Sequence, residues 1–459
     1  MADDLFMALP LLRFPLLSDE EVVRLDEARA TRVLDPASLD LLDACDEFRS
    51  LEDHARVAAE GLPEEAVPVL RERLAALAAE GFLISRNDVL RQIREAPPEA
   101  PPPPISVVGV LPGADVDGLR AHLRRHGHAL PLVAVDAAQA KAFRAALARE
   151  AGFVPDDGLN LFLLHAAGDL VFLVGPAAPF QPVFFPDAAP APLSLGQGPP
   201  GANPGLPRLE EVDLLGRHAL FLGRSLRDVA ARGVDLAGLD RRFLRCFQRG
   251  EGRIALTQGD VAYAVPVLET PEIDQLLTAG LDLRGEFPPF PPGDGGRLHA
   301  ALLRACFPRS LGLRLPWSLL SGEPEPAPLF DVLGLAVQAL DLGPFKPDGR
   351  ERLDAMGRHL REFAALPPED FEDNLRRLLW MAAAPALDLL ERDLQDLGDS
   401  PQADACRRER DALREALATD SIVRREELEA TRRKLEGLGR LLCAWPDLIE
   451  AAKALRRKS

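Results

Sequence analysis

Between Ala96 and Pro104 the chain reads APPEAPPPP. Proline has no amide hydrogen and holds φ near −65°, so such a run can neither continue a helix nor sit inside a sheet. It forms an extended spacer and divides the chain. On this reading residues 1–96 form one unit, 97–104 a linker, 105–365 a larger α/β unit and 366–459 a charged helical region. A length of 459 residues fits several domains, and 47% hydrophobic with 27% charged residues is enough to build their cores.

The first unit is rich in helix start and stop signals. Asp35 before Pro36 is an N-cap with proline at the first helical position, and Ser50 with Asp53 repeats the capping pattern. A third helix carries Val67, Leu70, Leu74 and Leu77 at helical spacing until Gly81 ends it, and a short strand FLIS follows. A strand TRVL precedes the three helices, which gives a winged-helix-like unit.

The pattern VLDPASLDLLDACDEFRSLEDHA, followed by V..VL..L..L...GFL, resembles the PqqD-like domains that recognise leader segments of ribosomally made peptides, over Thr31 to Ser85. The resemblance implies that a peptide adds as an extra strand and lies against the third helix. By position it implies a role for Thr31, Arg32 and Val33 on the strand and Arg71 on the helix. A winged helix can also bind DNA, but Asp40, Asp43, Asp46, Glu47, Glu52 and Asp53 make this surface acidic. The alternative is a helical wing that merely packs on its neighbour.

After the linker, ISVVGVL is a continuous β-branched run, DVDGLRAHLRRHG a helix closed by Gly127, PLVAVD a second buried strand and AAQAKAFRAALAREAG a further helix. Such alternation predicts a mostly parallel sheet covered by helices. His122 and His126 stand four apart, and His128 follows. With no carboxylate or cysteine nearby in sequence, they read as a solvated helix face and not as a metal site.

From Ile105 to Pro186 this order resembles the GT-A fold of family-two glycosyltransferases. The resemblance implies a nucleoside contact at Asp136, which ends the second strand. It also implies that the strand after Asn160 and Asp169 should end in an acidic cluster that holds a divalent cation against a nucleotide-sugar diphosphate. Here that strand, VFLV, runs into Gly175, Pro176 and Ala177, none of which can ligate a metal through its side chain. The expected metal set is therefore none, unless Asp156, Asp157 or Asp187 swings in from a loop.

Further along, Ala188 to Pro207 reads as a Pro/Gly-rich loop and GRIALTQGDVAYAVPVL as a hairpin-like segment with Asp260 at its turn. RGEFPPFPPGDGG offers Phe287 and Phe290 either for stacking on a ligand or for plugging a core edge. No dinucleotide fingerprint, P-loop, HExxH or GxSxG turn occurs. Near the end, Ser400-Pro401 starts one helix, and another spaces Leu428, Leu435 and Leu442 by seven, with Thr431, Leu438 and Trp445 at the offset positions. An antiparallel hairpin packed on the main unit is expected.

A net charge of −18 opposes non-specific attachment to nucleic acid or an anionic membrane. Five scattered cysteines without a CxxC pair fit a reducing cytosol, and the acidic start MADDLF lacks the basic segment of an export signal. The expected function is that of a cytoplasmic accessory protein of peptide modification. Its first unit would bind a peptide, and its transferase-like unit would be non-catalytic, need no cofactor and bind a nucleotide, a sugar or a partner enzyme. The alternative is an active glycosyltransferase that uses a nucleotide-sugar and a divalent cation.

Overall fold

A computed structural model describes residues 4–9, 11–15, 21–25, 31–63, 65–95, 100–134, 137–155, 158–175, 180, 182–184, 213–230, 253–259, 267–269, 278–291, 297–307, 310–315, 317–319, 349–397, 407–408, 410–411, 414 and 425–458. Within them the chain is a mixed α/β protein built on a mostly parallel sheet. No described helix is long and apolar enough to cross a membrane.

The first unit opens with strand β1 (Phe6–Ala8) and a three-stranded antiparallel sheet of β2 (Leu11–Pro15), β3 (Glu21–Leu25) and β4 (Thr31–Leu34). Helix α1 (Pro36–Asp43) starts where the Ser38 amide donates to the Asp35 carboxylate at 2.9 Å. Helix α2 (Leu51–Ala58) starts where the Asp53 amide donates to Ser50 Oγ at 3.0 Å. Helix α3 (Ala66–Ala79) ends at Gly81, whose φ of 86° is the left-handed conformation that only glycine adopts without strain. The chain then returns as β5 (Leu83–Ser85), which pairs antiparallel with β1 in the register Met7↔Ile84. Leu39, Leu42, Leu74, Leu77 and Phe82 fill the core between helices and strands.

Helix α4 (Arg86–Glu95) leads into the spacer, and the larger unit begins with β6 (Val107–Val110), α5 (Val116–Arg125), β7 (Leu132–Ala134), α6 (Ala137–Ala151), α7 (Gly158–His165) and β8 (Leu170–Val174). Beyond lie β9 (Pro182–Phe184), α8 (Leu214–Ala219), α9 (Leu226–Ala230), β10 (Arg253–Gly259), β11 (Val267–Glu269), β12 (Thr278–Asp282), α10 (Arg297–Cys306), β13 (Ser310–Leu315) and β14 (Trp317–Leu319). The main sheet has the order β11-β13-β10-β12-β8-β6-β7, in which β11 and β12 run against the other strands. The chain leaves β6 toward β7 on one side and crosses to β8 on the other, so the strand direction of travel reverses at β6. The hairpin expected between β10 and β11 does not form: β13 lies between them, parallel to β10 and antiparallel to β11.

The charged C-terminal stretch supplies α11 (Gly349–Ala364), α12 (Pro368–Leu397) and α13 (Arg425–Lys458). Helix α13 packs along α11, and its Leu435, Leu438, Leu442 and Trp445 are fully buried against one face of the main sheet. The expected seam thus faces the core at these four positions, whereas Leu428 and Thr431 are half-buried. Trp445 Nε1 donates to the Phe287 carbonyl at 2.7 Å, and Arg456 donates to the Ala167 carbonyl and pairs with Asp169, each at 2.7 Å. The opposite sheet face is covered by α5, α8 and α9, together with Met7 of β1 and Val89 of α4.

Candidate functional sites

Strand β4 is the edge of its sheet: β3 pairs with one side, in the register Val22↔Val33, and no described strand pairs with the other. Leu34 turns into the core, whereas Arg32 and Val33 are exposed, Val33 to 54%. The side chain of Thr31 lies outside the described residues. Helix α3 is tied to the start of α1, just past this strand, by Arg73, which pairs with Asp35 and donates through Nε to Ser38 Oγ at 3.0 Å. Val69, one turn earlier on the same helical face, is 66% exposed. Leu62 and Val57 are exposed too, so most of the large apolar side chains that reach solvent among the described residues belong to this unit.

The sequence-derived set is therefore brought together only in part. Thr31, Arg32 and Val33 share the β4 edge, but Arg71 points toward α2, with Nη1 3.7 Å from Glu52. Residues two apart on a helix do not share a face, and Arg73 occupies the side that Arg71 was expected to hold. Nothing local in the sequence marks Arg73, whose partners stand 35 or more positions away.

The second region is the end of the main sheet where β6, β7 and β8 finish. After β6, Gly113 (φ 87°) turns the chain into the Asp115 N-cap of α5. One Asp115 oxygen accepts from the Gly118 amide at 2.9 Å and the other from the Phe180 amide at 3.0 Å. These two amides hold its pKa below the ordinary carboxylate value. The buried Phe180 lies against Gly118, where an added Cβ would meet the Phe180 Cβ at 2.9 Å. The helix N-terminus that faces the strand ends is thus closed by the chain's own groups. Gly175 ends β8 in a buried position. Asp136, Asp156, Asp157, Asp187, Pro176, Ala177 and Asp260 lie outside the described residues. Among the described residues no three His, Cys, Asp or Glu side chains are grouped to hold a metal ion. Asn160 is buried and exchanges both its amide groups with the Phe290 backbone, Oδ1 accepting at 2.8 Å and Nδ2 donating at 2.5 Å.

The α5 histidines are not a solvated face. His122 is 6% exposed, with its ring 4.7 Å from His126 and 5.2 Å from Phe180. Burial pushes its pKa down to about 4. His128 Nε2 lies 2.8 Å from Asp213, which also caps α8. The partner carboxylate comes from 85 positions along the chain, where inspection of the local sequence does not reach. Phe287 and Phe290 are likewise buried, Phe290 stacked at 3.9 Å on His299, so they fill the core edge. Comparison of the chain with protein-family models, with curated proteins and with solved structures finds no match.

Proposed function

We propose that this chain is an accessory protein of peptide modification that captures an extended peptide by adding it as a strand to β4. The observation that carries this reading is the open edge of Thr31–Leu34, with Val33 exposed on it and Val69 exposed on the adjoining helix. An edge strand offers backbone N–H and C=O groups to any extended chain, and flanking apolar side chains supply the pocket for alternate residues. The large unit serves as a platform for a partner enzyme, a reading supported by the closure of the α5 N-terminus by Asp115 and Phe180.

An active nucleotide-sugar transferase is the rival, favoured by the reversal of travel at β6, since open α/β sheets bind ligands at such a point. Titration with nucleotide-diphosphate sugars with and without Mn²⁺ separates the two, and metal-enhanced binding would establish the rival. The direct test of peptide capture is fluorescence polarisation of the full chain with peptides encoded beside its gene. Val69→Glu charges the apolar flank and should weaken binding about tenfold or more while circular dichroism stays unchanged, and Arg32→Pro should do the same provided that the Arg32 N–H points away from β3. Failure of the wild-type chain to bind any of those peptides ends the proposal.

A further inference from the structure

A cavity of about 430 Å³ opens at the other end of the main sheet, away from the carboxyl ends of β6, β7 and β8. It lies between the first residues of β10 and β13, the end of β12, the segment that follows it and helix α10. Its size is within the range of pockets that enclose small organic molecules. Its wall is held by hydrogen bonds from α13: Lys453 donates to the Arg284 and Gly285 carbonyls at 3.2 and 3.0 Å, and Trp445 donates to that of Phe287.

The lining combines an apolar floor with His299, Arg253, the Arg284–Asp282 pair, Ser310 and the exposed Glu286 at the rim. Leu281, Leu283, Phe287 and Leu303 are all buried and form the floor. His299, 3% exposed, is fixed by its Nδ1–H, which donates to the Pro289 carbonyl at 3.1 Å, so Nε2 is left as an acceptor without a partner among the described residues. Burial keeps the ring neutral. Arg284 is neutralised by Asp282 through contacts of 2.8 and 2.6 Å, whereas the exposed Arg253 has no ion-pair partner among the described residues. Such a lining asks for a flat apolar body, a hydrogen-bond donor for His299 and an anionic end for Arg253.

We propose that this cavity binds a small hydroxylated aromatic carboxylate, with the carboxylate on Arg253, the ring over Phe287 and Leu303, and the hydroxyl donated to His299 Nε2. The site is separate from the β4 edge, so its occupancy does not depend on peptide capture.

Isothermal titration of the full chain with 4-hydroxyphenylacetate tests the proposal, with its methyl ester and phenylacetate as controls. Saturable one-to-one binding is expected, weakened about tenfold or more for the ester and for Arg253→Ala, and less for phenylacetate. Leu303→Trp, which fills the floor, should abolish it. Because Arg253 is exposed, its replacement does not threaten the fold and remains informative even if Leu303→Trp fails to fold. Absence of saturable binding to the wild-type chain, or equal affinity for Arg253→Ala, overturns the assignment.

Discussion

His218 is wholly buried, 5.0 Å from the Phe172 ring, with Nδ1 2.8 Å from Thr257 Oγ1 and Nε2 without a partner among the described residues. Burial lowers its pKa to about 3, and those of His122 and His299 to about 4, against an ordinary value of 6.5. Between those limits the unfolded chain binds protons that the folded chain refuses, so acid favours unfolding. The contribution is complete above about pH 6.5 and is lost as pH falls toward 4, with a slope of up to about 1.4 kcal/mol per pH unit for each histidine. Urea midpoints should therefore hold steady from pH 8 to 7 and decline from pH 6.5 to 5, and His122→Phe should flatten that decline. None of this was legible locally: three histidines near one helix look solvated until Phe180 and Asp213, from distant segments, are laid over them.

Helices α11 and α13 touch through backbone where Gly357 meets Gly439: a Cβ added to either would fall 2.7 Å from the other's carbonyl oxygen. Alanine ordinarily stabilises a helix interior by up to about 1 kcal/mol over glycine. At Gly439 that gain loses to overpacking, which costs about 1–3 kcal/mol, because the obstructing atom is backbone and cannot rotate away. At Gly437, two residues earlier with nothing within 4 Å, the propensity gain is unopposed. Thermal denaturation should show Gly439→Ala melting lower than wild type and Gly437→Ala melting slightly higher. Elements of this kind were legible to the extent that their signals are local. The Asp35 and Ser50 caps, the stop at Gly81 and the buried seam through Leu435, Leu438 and Trp445 follow from spacing alone. The β10–β11 pairing is not legible in this way, because two neighbouring strands imply a hairpin and only the placement of β13 between them denies it. For the same reason β1 carries no local signal, since three residues gain meaning only from their partner β5.

At the scale of the molecule, β1 joins two cores. Ala8 packs with the helices of the first unit, and Met7, fully buried, points the other way into the core beneath the main sheet, beside Val89 and Val108. A fragment of residues 1–96 retains the first core and exposes Met7, which predicts that it folds alone and tolerates Met7→Glu. The full chain, where the same change buries a charge, should lose about 3 kcal/mol or more, as measured by urea denaturation of both forms. The candidate peptide edge was legible from the TRVL strand and the ordered caps. The flank was not, because it depends on Arg73 tying α3 to Asp35, just past the end of β4. The covering of the main sheet by α13 also sets an order of events during synthesis. Strand β13 ends at Leu315, but Leu435, Leu438, Leu442 and Trp445 come only with α13, which starts at Arg425, so until the ribosome has added that helix the core residues of α6, α7 and α11 that it covers lack their partner. Nascent chains at that stage are natural clients for holding chaperones, and the pace of translation across those residues governs how long the growing protein remains exposed to aggregation.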